Sequence, residues 1–170
     1  MATHRISILG ANTIPDTTGR AFFEPYSVKA TNDIFKHLVG VLNDPSASQV
    51  HGFYGQFPIP KNYVGTASVI VVWTSTATTG NFNSRFQYRA VGGDDSESLD
   101  QATFQETIEV TDAAPSAAHE RMEASFAVTA GNFAADDTVT FLYERFDESG
   151  VDTLAAAVTV HDILFQYNDA

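Results

Sequence analysis

The sequence of 170 residues contains no cysteine. That excludes disulfide scaffolds, thiolate zinc sites, iron–sulfur clusters and cysteine nucleophiles. No apolar run approaches the roughly 20 residues of a membrane span. Met1 to Gly10 carries no basic stretch followed by a long apolar one, so no signal peptide is expected there. Leucine, a strong helix former, occurs only seven times. Basic residues are also few, nine Lys and Arg against twenty-one Asp and Glu, which leaves a net charge of −12. Neither a nucleic acid nor an anionic membrane is expected as a partner, because both recruit Lys and Arg. The charge is uneven: residues 1–91 hold seven basic and four acidic side chains, residues 92–170 two and seventeen. That split reads first as a solvated acidic face, and alternatively as a polar molecule with one end docking and the other turned to solvent.

Signatures of catalysis are missing as well. The sequence has no Gly-x-Ser-x-Gly elbow, no Walker loop, no dinucleotide glycine fingerprint and no His-Glu-x-x-His pattern. Its five histidines, His4, His37, His51, His119 and His161, are dispersed. Only His119-Glu120 and His161-Asp162 stand next to a carboxylate, and neighbours along a strand point to opposite faces. No metal, cofactor or catalytic residue is therefore expected, although a cupin-like enzyme with ligands gathered from distant strands is a third alternative. Acidic groups at Asp94, Asp95, Glu97 and Asp100, at Asp136 and Asp137, and at Asp147, Glu148 and Asp152 match no calcium loop. They read as solvated turn carboxylates.

What the chain does hold is β-branched and aromatic: eighteen Thr, fifteen Val and thirteen Phe. Such residues fit a pleated surface. Phe82, Phe86 and Tyr88 alternate with Arg85, Gln87 and Arg89. Met122, Ala124, Phe126 and Val128 share one face, as do Val139, Phe141 and Tyr143. Phe104 to Val110 alternates less cleanly, with Glu106 out of pattern. Residues 67–74 form a short β-branched run ending near Trp73, as a strand covered on both faces would. Residues 52–60 place Phe53, Gly55, Phe57 and Ile59 together, the glycine there admitting a large neighbour. The last run, 155–167, opposes Val158, Val160 and Leu164 to His161, Ile163, Phe165 and Tyr167. These are seven strands of period two, separated by Gly, Pro, Asn and Asp turns. Residues 32–43 fit a helix capped by Asn32 or a strand from Phe35 to Asn43; the strand is preferred because Gly40 weakens a helix. The expected fold is all-β, a jelly-roll β-sandwich of about eight antiparallel strands in residues 31–170. Residues 1–30 read as an extended N-terminal arm that adds one edge strand. In the core, Trp73, Phe86, Phe126 and Phe141 are expected between the sheets. Tyr54, Tyr63 and Tyr88 are less committed and could form an aromatic platform.

The run Phe53-Tyr54-Gly55-Gln56-Phe57-Pro58-Ile59-Pro60-Lys61-Asn62-Tyr63-Val64-Gly65 precedes a strand ending Val72-Trp73-Thr74. A Thr/Gly turn, the aromatic strand 82–91 and, much later, Asp152-Thr153-Leu154 follow. This pattern, over about residues 50–168, resembles small jelly-roll structural proteins of tailed phages, found as capsid decoration or tail-associated proteins. The resemblance implies a non-enzymatic virion protein at the capsid surface, decorating the phage head as a homotrimer bound to the major capsid protein or another virion protein. The expected docking element is the arm, with Arg5, Arg20, Phe22, Phe23 and Tyr26. A glycan-binding β-sandwich module of a tail or fibre is the alternative from another class.

Overall fold

The structure, a computed structural model, describes residues 1–10, 12–16, 20–26, 37–44, 51–92, 97–147 and 150–169. Among these residues eleven strands follow one another: β1 (Thr3–Ser7), β2 (Ile14–Pro15), β3 (Ala21–Pro25), β4 (Leu38–Leu42), β5 (His51–Pro58), β6 (Tyr63–Ser75), β7 (Asn81–Val91), β8 (Glu106–Ala113), β9 (Met122–Phe126), β10 (Thr138–Arg145) and β11 (Val158–Asp169). They form two antiparallel sheets. The first runs β3-β4-β11-β6-β9, with β1 also on β11; the second runs β2-β5-β10-β7-β8. A 3-10 turn lies at Ala130–Asn132, and no α-helix occurs among the described residues. This is a jelly-roll β-sandwich, as the alternation implies.

All eight strands expected from periodicity are present, β4 among them. Of the ambiguous stretch, Leu38–Leu42 is a strand, and residues 32–36 lie outside the described residues. The inner faces of the two sheets meet in a core that includes Trp73, Phe86, Phe126 and Phe141, all withdrawn from solvent. Gly55 faces the Phe141 ring, which occupies the space a side chain would need. At Gly80, φ is +97° and a side chain would run into the Thr153 carbonyl. Glycine at that position lets the 150s segment close on the start of β7, where the Thr153 and Leu154 amides both donate to the Asn81 carbonyl at 2.9 Å.

Two readings need correction. The first thirty residues supply three strands rather than one edge strand. β1 pairs with β11, β3 with β4 and β2 with β5. Ile8 and Ala21 lie in the core, and Phe23 packs on it with its ring 5.0 Å from that of Phe53. Each piece is short, so no run of alternation long enough to read exists in the sequence. The second correction concerns β11. Its pairing with β6 slips between Val160 and Asp162. Val158 and Val160 face the core before the bulge, Ile163, Phe165 and Tyr167 after it. The extra residue resets the phase, so the expected opposition of Val160 to Ile163 does not hold, and His161 and Asp162 both fall on the outer side.

β11 is the organising strand. One edge pairs with β6 along almost its whole length. The other edge is divided: β4 takes Val158 to Val160 and β1 takes Leu164 to Asn168.

Candidate functional site

The outer face of the five-stranded sheet carries a set of mutually oriented polar groups. On β10, Phe141 and Tyr143 point into the core, so Leu142 and Glu144 point away from it. The register sets Tyr54, Leu142, Gln87 and Thr107 in one row across β5, β10, β7 and β8. Gly52, Glu144, Arg85 and Glu109 form the row on one side, and Gln56, Thr140 and Arg89 the row on the other.

Arg85 Nε donates to Glu144 Oε1 at 2.7 Å, and Gln87 Nε2 donates to the same oxygen at 2.7 Å. The Arg85 guanidinium also lies 4.3 Å from the centroid of the Phe146 ring. Leu142 and Glu144 are only 4% and 0% exposed although they point away from the core. Arg85 and Gln87 of β7 reach over β10 to Glu144, and we refer to this face as a trough with β10 as its floor. Its flanks are open: Gln56, Thr107, Glu109 and Thr111 are exposed, and Tyr54 is 41% exposed. Partial burial together with the negative Glu144 and Asp16 raises the Tyr54 hydroxyl above its ordinary value, so it remains a donor. The trough thus offers fixed donors and acceptors beside one accessible aromatic ring, all on strands rather than loops.

A second cluster lies on the outer side of the six-stranded sheet. His37 Nε2 and His161 Nδ1 are 3.0 Å apart and share a hydrogen bond, and His161 Nε2 meets Thr74 Oγ1 at 3.0 Å. The Tyr26 ring stands 4.7 Å from that of His161 and 5.0 Å from that of His37, and its hydroxyl is 3.4 Å from His119 Nδ1. Burial first, then the proximity of His37, Arg121 and His119, lowers His161 to about 4. Three histidines that look dispersed in the sequence therefore converge. Even so, among the described residues no three His, Asp or Glu side chains meet at a metal-holding point.

The five expected docking residues do not share one surface. Arg5 is exposed, donates to Gln166 Oε1 at 2.8 Å and lies 3.6 Å from Glu123. Phe22 and Phe23 alternate on β3, with Phe23 directed to the core. Tyr26 is engaged with the histidines. Arg20 precedes β3, and its carbonyl accepts from the Asn43 amide at 3.1 Å. Of the three tyrosines, Tyr63 and Tyr88 are buried and only Tyr54 is exposed. Trp73 is fully buried.

The acidic turns divide too. Asp94, Asp95 and Glu148 lie outside the described residues. Asp136 is exposed, 3.9 Å from Lys61. Asp137 and Asp152 are not solvated turn carboxylates: Asp137 is buried and accepts from the Ala134 amide at 2.7 Å, while Asp152 pairs with Arg145 inside the sandwich. Glu144 was not legible as a site residue, since only the register of β10 against β7 brings it to Arg85 and Gln87. No helix among the described residues is long and apolar enough to cross a membrane.

No protein-family model matches the sequence, and no curated protein matches it. Solved structures do share the fold. CBM35 from Cellvibrio japonicus Abf62 aligns at a TM-score of 0.52 and 12% identity, over 99% of this chain and 95% of that one. The family 11 carbohydrate-binding module of the cellulosomal cellulase Lic26A-Cel5E of Clostridium thermocellum aligns at 0.52 and 6% identity, over 99% and 95%. The arabinose-bound MgGH51 α-L-arabinofuranosidase aligns at 0.55 and 9% identity over 92% of this chain, which spans only 23% of that enzyme. At such identities the likeness defines a class of architecture, the two-sheet jelly roll, and nothing narrower.

Proposed function

We propose that the chain is a glycan-binding β-sandwich module, with the trough on the five-stranded sheet as its binding face. The observation that carries this reading is that Arg85 and Gln87, from adjacent rows, converge on Glu144, with the exposed Tyr54 in the same row as Gln87. A saccharide presents hydroxyls that both donate and accept, and an apolar C–H face. Fixed guanidinium, amide and hydroxyl groups suit the first, and an accessible aromatic ring suits the second. Placement on strands limits the ordering cost on binding. Two neighbours of the same size, CBM35 and the family 11 module, are named as carbohydrate-binding, which supports this reading over head decoration. The sequence resemblance to tail-associated phage proteins supplies a setting, a tail or fibre that meets a cell-surface polysaccharide.

Affinity electrophoresis against a panel of soluble polysaccharides tests the proposal. At least one polymer should retard the protein, and Tyr54→Ala should abolish the retardation while leaving the thermal midpoint within a few degrees. Retardation by none of a broad panel, or equal retardation of the Tyr54→Ala protein, would remove the trough from the account.

A further inference from the structure

β4 and β1 divide one edge of β11, and the bulge at His161 falls between them. A cavity of about 450 Å³ opens at this break, with Leu9, Phe23 and Leu38 as its apolar wall and Ser7, His161 and Asp162 as its polar one. Leu38 is 64% exposed, so the mouth is open to solvent.

Asp162 is the unusual member. Its carboxylate accepts from Ser7 Oγ at 2.6 Å and from the Ile163 amide. Among the described residues it forms an ion pair with no Lys, Arg or His, and no Lys or Arg lines the cavity. Burial raises the carboxyl above its ordinary value, with the two hydrogen bonds pulling it partly back. A half-buried anion without a counter-charge, beside a hydrocarbon wall, is complementary to a ligand that brings both.

The geometry points to a binding pocket for a small organic ammonium ion, its nitrogen on the Asp162 carboxylate and its carbon skeleton against Leu9, Phe23 and Leu38. His161 does not oppose such a ligand at neutral pH, because the ring is held neutral there. The net charge of −12 raises the local concentration of cations further. The ammonium group could belong to an aliphatic amine or to an amino sugar. The pocket lies on the opposite sheet from the trough and stands apart from the glycan reading of that face.

The test is a protein-observed NMR titration of the full chain at pH 7.5 with n-butylammonium and glucosamine, with n-butanol and glucose as neutral counterparts. At least one amine should give saturable shifts centred on Leu38 and His161, at least tenfold tighter than its neutral counterpart. Asp162→Asn keeps an acceptor for Ser7 and should weaken binding at least tenfold. Asp100→Asn, at an exposed acid elsewhere, should leave binding unchanged. Binding of butylammonium alone assigns an aliphatic amine and of glucosamine alone an amino sugar; either supports the pocket. Neutral compounds binding as well as the amines, no saturable shifts with either amine, or wild-type affinity in a folded Asp162→Asn protein would each overturn it.

Discussion

Arg145 and Asp152 form a two-point ion pair inside the sandwich. Nε reaches Oδ2 at 2.8 Å and the terminal nitrogen reaches Oδ1 at 2.6 Å, with both side chains at 0% exposure. The guanidinium also donates to the Ala156 carbonyl at 2.6 Å and to the Leu154 carbonyl. One arginine thus holds the whole 152–156 segment against the end of β10. Arg145 also lies 3.5 Å from the exposed Asp44 carboxylate, but Asp152 is its only buried counter-charge among the described residues, so removing Asp152 leaves the guanidinium poorly compensated in the interior. Asp152→Ala should therefore cost about 3 to 5 kcal/mol in urea unfolding. Asp136→Ala, at an exposed pair 3.9 Å from Lys61, should cost about 1 kcal/mol or less. Equal losses at the two positions would contradict this ranking.

Phe126→Ala should cost roughly 3 to 5 kcal/mol, because Phe126 is fully buried and its ring meets those of Phe86 and Tyr143 at 6.0 and 5.9 Å. Equilibrium denaturation measures it, and a loss below about 1 kcal/mol would mean that the cavity refills.

The first residues of the chain are expected to act on stability before they act on any partner. Ile8 is buried and its amide donates to the Ile163 carbonyl at 2.7 Å. Ile8→Ala should cost about 2 to 4 kcal/mol by the same assay. An unchanged unfolding midpoint would return residues 1–10 to the role of a free arm.

The histidine cluster sets a pH dependence of defined sign. In the fold His161 is lowered to about 4, whereas the unfolded chain protonates it near the ordinary value of about 6.5. Its contribution to stability is complete above about pH 6.5 and is lost as pH falls towards 4. The ring is only half-buried, so solvent screening limits the effect to about 1 kcal/mol. The wild-type protein should lose that much more stability than His161→Gln between pH 7.5 and pH 4. Parallel pH profiles for the two proteins would show that the cluster does not resist protonation.

How much of this was legible in the sequence varies with the length of each signal. β7 spans eleven residues and β10 eight, enough for Phe82, Phe86 and Tyr88, or Val139, Phe141 and Tyr143, to declare an inner face. β2 has only two residues, β1 a single apolar side chain and β3 two adjacent phenylalanines, so none shows the alternation that runs through the equally short β9 and on to Val128. The bulge in β11 misleads differently, since one extra residue reverses every inference drawn across it. The trough was half visible. Arg85, Gln87 and Arg89 were evident as a polar face, but Glu144 and Tyr54 join them only through the pairing of strands far apart in the chain. Register between distant strands is a property of tertiary packing, and no local pattern encodes it.

The divided edge of β11 has a consequence for biosynthesis. Until residues 158–169 leave the ribosome, the partner of β1, the second partner of β4 beside β3, and the partner of one whole side of β6 do not exist. During that interval β6 has only β9 beside it, and its apolar Val69-Ile70-Val71-Val72-Trp73 run presents an open strand edge. Such an edge is a template for pairing with another nascent chain. The six-stranded sheet must therefore close late and over long sequence separations, as slow-folding β topologies do. A chain shortened before β11 is expected to partition into the insoluble fraction rather than accumulate as a smaller folded module.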